Sequence, residues 1–84
     1  MRYSDNDEIL ECFDNLTNRI KDLRKERKVS QLKLAGILGH DSTSFVARIE
    51  LRQNGANYNI AHILTIAKAF DCDIRDLMPP SKLP

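Results

Sequence analysis

An all-α fold, a compact bundle of five helices, is what this sequence predicts, and three observations predict it. Apolar residues recur at helical spacing in four stretches. No segment alternates as a strand would. Capping residues and helix breakers stand where the helical stretches begin and end.

The first stretch is the longest. No Pro or Gly occurs from Met1 to Ala35, and Ile9, Phe13, Leu16, Ile20 and Leu23 follow one another at steps of four and three. A stripe sustained over four turns predicts one helix over about 5–27. Ser4 or Asp5 can cap its start, and acidic first turns suit the positive end of the helix dipole. A break into two helices near Asn15–Asn18 is the alternative, and packing rather than isolated helix stability decides between them.

Helix 2 is expected over about 31–38, capped by Ser30, with Leu34, Ala35 and Leu38 on its buried stripe. Gly39 can take the left-handed conformation that ends a helix and turns the chain sharply. Helix 3 is expected over about 43–52, capped by Ser42, burying Val46 and Ile49 with Phe45 beside them. Gln53 to Tyr58 reads as a turn-rich loop. Helix 4 follows Asn59 as its cap, runs to Phe70 and is expected to bury Ile60, Ile63, Leu64, Ala67 and Phe70. Asp73, paired with Asp76 at the third helical position, caps a last helix from Ile74 to Met78, which Pro79-Pro80 ends.

At 84 residues the chain is one domain whose core is only just sufficient. It has no apolar run near membrane-spanning length and no export signal at Met1 to Asp7, so a cytoplasmic protein with no membrane partner is expected. Cys12 and Cys72 lie far apart with no second pair, and read as reduced thiols used as small apolar residues. His40 and His62 show no partners in sequence, and no metal is expected. No nucleophile–base set and no phosphate-cradling glycine loop is present, so neither an enzyme nor a cofactor is expected.

A net charge of +1 gives no argument for nucleic acid, but its distribution is uneven. Asp5, Asp7, Glu8, Glu11 and Asp14 face only Arg2 in residues 1–18; Arg19, Lys21, Arg24, Lys25, Arg27, Lys28 and Lys33 dominate residues 19–33. The basic run is either a solvated helix face with cations near a helix C-terminus or a surface that attracts phosphate.

Helices 2 and 3 are too short to be stable alone. Ala35 is small enough to let them cross closely. Once their apolar residues turn inward, Thr43, Ser44, Ala47 and Arg48 point outward, which is the layout of a helix-turn-helix.

These residues carry a family resemblance. Arg19-Ile20, Leu23-Arg24, Ser30-Gln31, Leu34-Ala35, Leu38-Gly39, Arg48-Ile49-Glu50, Ile66 to Phe70 and Asp76-Leu77-Met78 occur in order from Leu16 to Met78. That ordered set resembles the Cro/C1-type helix-turn-helix domain of phage repressors and bacterial regulators. It implies a lambda-repressor-like bundle over residues 16–80, with 1–15 extending helix 1 and 81–84 a short tail. Three departures stand out. The turn from Gly39 to Glu50 is one residue longer than is usual, the segment from Glu50 to Ile60 two longer, and Lys28 stands where the family often has Gly.

The resemblance implies double-stranded DNA as the partner and a sequence-specific transcriptional regulator as the function. The second helix of such a motif lies in the major groove, so Thr43, Ser44, Ala47 and Arg48 are the candidate base contacts. Arg48 is the strongest of them, since Arg grips guanine through two hydrogen bonds. Gln31, at the start of helix 2, and Arg52, Asn54 and Asn57 beyond helix 3 are the candidate phosphate contacts. Arg24 and Glu50 are expected to form a structural salt bridge. A homodimer on a palindromic operator is expected, pairing through Ile74, Leu77 and Met78 (with Leu83) or through the rival stripe of Ile9 and Phe13 with Leu16. The second functional reading is a protein-interaction module, such as an antitoxin, whose main partner is a toxin or other protein and whose DNA binding is secondary.

Overall fold

The computed structural model describes residues 7–78. Within them are five α-helices and no strand: α1 (Asp7–Glu26), α2 (Gln31–Ile37), α3 (Ser44–Glu50), α4 (Ile60–Ala69) and α5 (Ile74–Leu77), with a single 3-10 turn at Gln53–Gly55. The proposed caps Ser4 and Asp5, Pro79-Pro80, Leu83 and the 81–84 tail lie outside the described residues.

α1 runs unbroken through Asn15–Asn18. Leu16 and Thr17 are both buried there and keep the stripe in register with Ile20, Leu23 and Arg24. α1 packs on α3 and α5, α2 on α3 and α4, and α4 on α5. The centre is filled by Ile20, Leu34, Val46, Ile66 and Leu77, each contributing roughly 1.5–3 kcal/mol through burial. Ala35 is also fully buried, and Leu38, Phe45 and Ile74 pack against this core.

Helix starts follow the capping chemistry closely. Ser30 Oγ accepts from the Lys33 N–H at 3.0 Å. Asn59 Oδ1 accepts from the His62 N–H at 2.8 Å, while His62 Nδ1 accepts the Asn59 N–H at 3.1 Å, a reciprocal capping box. Asp73 and Asp76 form the same box on α5, and the Arg75 side chain and N–H on Asp73 hold that carboxyl down to about 2. α3 is the exception. Thr43 precedes it in a helical conformation without a side-chain cap, and Ser42 Oγ only reaches the Ser44 N–H at 3.4 Å.

Helix ends share one device. Two residues past the ends of α1 to α4 the backbone is left-handed: Lys28 (φ 58), Gly39 (φ 85), Arg52 (φ 54) and Asp71 (φ 51). Three of these turns close with a Schellman hydrogen bond: Val29 N–H to Arg24 O at 2.9 Å, His40 to Ala35 at 2.9 Å and Cys72 to Ala67 at 3.0 Å. Arg52 explains why α3 stops at Glu50 rather than continuing to 52, since a left-handed residue cannot extend a right-handed helix.

One expectation about the core is corrected. Ile60 is 65% exposed and Leu64 is 52% exposed, while Ile66, not among the expected residues, is fully buried. The buried stripe of α4 is Ile63, Ile66, Ala67 and Phe70, at steps of three, one and three along one face. Leu64 lies a turn of about 100° off that face, and Ile60 overhangs its N-terminal end.

Candidate nucleic-acid interface

α3 presents two opposite faces. Val46 and Ile49 are buried, whereas Thr43, Ser44 and Arg48 are exposed and Ala47 is half-exposed. Arg48 folds back only as far as its own helix, where Nε donates to Ser44 O at 3.3 Å. The Ser44 hydroxyl is 2.8 Å from that of Ser42. The four candidate base-contact residues therefore lie along one side of α3, with a long cation among short side chains.

Besides the packing of Val46 and Ile49, a buried ion pair fixes the end of α3 to the bundle. Arg24 Nε and Nη2 donate to the two Glu50 carboxylate oxygens at 2.7 and 3.0 Å, and Nη1 donates to Val29 O at 2.9 Å. Gln31 Nε2 adds a third donor to Glu50 at 2.9 Å. Burial alone pushes the Glu50 carboxyl up, but the hydrogen bonds from Arg24 and Gln31 and the Arg24 and Lys21 charges outweigh it. The net effect holds Glu50 below the ordinary carboxylate range. One carboxylate thus ties the end of α1, the start of α2 and the end of α3 together. Nearby, Tyr58 has its phenol pushed up, first by burial and then by the Glu50 charge.

The candidate phosphate contacts are distributed less simply. Gln31 is half-buried, and one of its amide donors is engaged by Glu50. Arg52 is not a free cation: Nε donates to Asp14 Oδ1 at 2.9 Å, Nη1 donates to Ala56 O at 3.0 Å, and the guanidinium lies over the Phe13 ring at 5.7 Å. Asn54 is exposed and left-handed (φ 53). Asn57 is half-buried, its Oδ1 enclosed without a protein partner. Of the four, Asn54 alone is exposed, and Arg52 is withdrawn into the fold.

Between α3 and this loop lies a cleft of about 270 Å³, lined by Phe45, Arg48, Ile49 and the loop residues Gln53, Asn54, Ala56 and Asn57. The profile of the Cro/C1-type HTH DNA-binding domain matches residues 19–81. The chain is a member of that family. No curated protein and no solved structure matches it.

Membership of the Cro/C1-type family supports DNA as the partner and makes α2 and α3 the helix-turn-helix. Much of the basic run in α1 nevertheless serves the fold. Arg19 Nε donates to Asp76 O at 2.9 Å, Arg24 holds Glu50, and Arg27 donates to Phe70 O while lying over the Phe70 ring at 5.8 Å. Arg19 and Arg27 therefore place cations on carbonyls at the ends of α5 and α4. Lys25, Lys28 and Lys33 remain exposed.

The histidines are not isolated, contrary to their appearance in sequence. His40, in the turn, stacks on Phe45 of α3 with centroids 3.8 Å apart, and Phe45 meets His62 of α4 edge-on at 5.1 Å. Burial and then the neighbouring His40 lower the His62 pKa. Nothing in local sequence signals this plate, because its three rings come from three separate elements. No group of three or more metal-ligating side chains occurs among the described residues.

The dimer candidates also separate. Leu77 is fully buried and belongs to the protein's own interior, whereas Ile74 is half-buried with one side packed against the core. Met78 is 46% exposed, and Ile9 and Phe13 are half-buried. Met78 and Phe13 line one groove of about 530 Å³ with Cys12, Leu16, Ile60 and Ile63. Among the described residues no helix is long and apolar enough to cross a membrane.

Proposed function

We propose that this protein is a sequence-specific double-stranded DNA-binding transcriptional regulator of the cytoplasm, with residues 16–80 as its DNA-binding unit. α3 enters the major groove with Arg48 on a base edge and Thr43, Ser44 and Ala47 beside it. The observation that carries this is the exposure of Thr43, Ser44 and Arg48 opposite buried Val46 and Ile49. Asn54 and the remaining donor of Gln31 reach phosphates on either side of the groove, setting position rather than sequence.

One such unit reads only a few base pairs, so a homodimer on a palindrome, with half-sites about 34 Å apart, supplies the needed specificity. Selection of bound duplexes from a random pool, with the stoichiometry of the complex measured, tests the proposal. The expected result is a palindrome of that spacing bound by two chains. Arg48→Ala is expected to lower affinity for the selected site by about tenfold or more, in line with roughly 1–3 kcal/mol for a bidentate base contact. Its melting temperature should stay unchanged. Retention of no duplex even at low salt sinks the reading.

A second reading is favoured by a separate observation: Ile60, Leu64 and Met78 are exposed, and Ile60 and Met78 border the apolar groove. On that reading the main partner is another protein, a toxin for example, and DNA binding is secondary. Co-purification that survives high salt, together with weak duplex binding, distinguishes it from the first.

A further inference from the structure

We propose that the first turns of α1 act as a strut for the loop after the recognition helix, with Asp14 and Arg52 as positioning residues. The inference rests on the DNA-binding reading and deepens it. Residues 7–18 of α1 precede the region that matches the family, yet Phe13 and Asp14 among them contact Arg52 in the loop that follows α3.

Arg52 is held at three points. Its Nε meets Asp14 at 2.9 Å, its Nη1 meets the Ala56 carbonyl at 3.0 Å, and its guanidinium covers the Phe13 ring at 5.7 Å. The first and last of these come from α1; the second closes the loop on itself. Arg52 also sits at φ 54, which disfavours residues with a Cβ, so the side-chain contacts hold a conformation the backbone alone resists. The side chain is correspondingly enclosed, 18% exposed against 55% for Asp14.

The segment that Arg52 fixes is the wall of the cleft beside Arg48. Gln53, Asn54, Ala56 and Asn57 line that cleft, and Asn54 and Gly55 are themselves left-handed. Three of the four residues 52–55 are left-handed, and at Arg52 and Asn54 the Cβ disfavours that conformation relative to the extended and right-handed ones. Pinning the loop from α1 keeps Asn54 at a fixed offset from Arg48, so the ordering cost is met before DNA arrives. Arg52 then contributes to affinity by holding its neighbours rather than by touching phosphate.

The two roles of Arg52 predict opposite signs. If Arg52 is a phosphate ligand, removing the Asp14 charge frees it, and Asp14→Asn raises duplex affinity. If Arg52 belongs to a strut, the same substitution lowers affinity, by up to about fivefold, the scale of a partly exposed ion pair. The experiment measures duplex binding and amide hydrogen exchange on the full chain for Asp14→Asn, Asp14→Glu and Arg52→Gly. Arg52→Gly suits the left-handed backbone but lacks the guanidinium fork.

Expected are faster exchange at residues 53–57 and weaker binding in Asp14→Asn and Arg52→Gly, with Ile20 and Ile66 as protected as in the parent chain. Asp14→Glu should restore both readouts. Unchanged exchange at 53–57, or affinity that holds or rises in Asp14→Asn, overturns the strut. If the parent chain retains no duplex, the DNA-binding reading falls instead. The exchange pattern then decides the strut alone.

Discussion

Two arginine–carboxylate pairs tie α1 to the end of α3 and to the loop beyond it, and they differ in kind. Arg24–Glu50 is enclosed, its side chains 9% and 3% exposed, and its carboxylate has three hydrogen-bond donors. Arg52–Asp14 is a single contact with Asp14 more than half exposed. The first joins helices that have no stability apart from one another, so it belongs to the fold. The second restrains a loop that would remain attached without it, so it tunes a surface. Burial decides the difference: water screens Asp14 and cannot replace Arg24 beside Glu50.

The largest expected effect follows from that contrast. Glu50→Ala strands the Arg24 guanidinium among buried groups and removes the partner of Gln31, which should cost about 3–5 kcal/mol. With roughly 4–8 °C per kcal/mol for a domain of this size, the melting temperature should fall by well over 10 °C. Arg48→Ala, exposed on the same helix, should leave it unchanged. Equal losses in thermal melts of the two variants break the distinction between core clamp and reading surface.

Acid should separate the pairs next. The Glu50 pKa is lowered on folding, so the unfolded chain takes up that proton first. Its stabilisation is complete above the ordinary value of 4.5 and is lost as pH falls through the lowered folded value. Melting temperature should therefore drop below about pH 4.5 more steeply in the parent than in Glu50→Gln. A Glu50→Gln profile parallel to the parent's would mean that the clamp does not govern acid stability.

Stability should respond far less at the second pair. Asp14→Asn is expected to cost under about 1 kcal/mol, even where its effect on the loop is measurable. A loss approaching that of Glu50→Ala would place Arg52–Asp14 in the fold and not on its surface.

The clamp itself was legible in sequence only through family resemblance, because residues 26 positions apart carry no local signal of contact. Helix existence and the caps at Ser30, Asn59 and Asp73 followed from local chemistry, which sequence spells out directly, whereas sequence leaves the continuity of the first helix open, and it rests on the packing of Leu16 and Thr17. Side-chain destinations did not follow from local chemistry. Arg52 reads as one more basic residue in a polar loop until α1 is seen to pass behind it. His40, Phe45 and His62 form a plate that no spacing announces. Leu77 read as a candidate interface because an apolar residue near the end of a domain has the same pattern whether it faces the core or a partner. Ile60 and Leu64 failed in the opposite sense, since a strongly apolar helix does not reveal which of its faces is covered.

The smallest expected effect compares the two clamps through their backbone neighbours. Lys28 and Arg52 both end helices at positive φ, 58° and 54°. Lys28 has an exposed side chain and stands beside Val29, whose carbonyl Arg24 already holds. Glycine there relieves the Cβ clash of the left-handed region and loses some of that gain to the greater freedom of the unfolded chain. Lys28→Gly should therefore stabilise the protein by about 0.5 kcal/mol, a rise of a few degrees in melting temperature. Arg52→Gly gains the same backbone relief but gives up the contacts to Asp14, Ala56 and Phe13. Its melting temperature should stay level or fall. If both glycine variants rise equally in parallel thermal melts, the Arg52 side chain adds nothing to the folded state, and the strut loses its energetic basis.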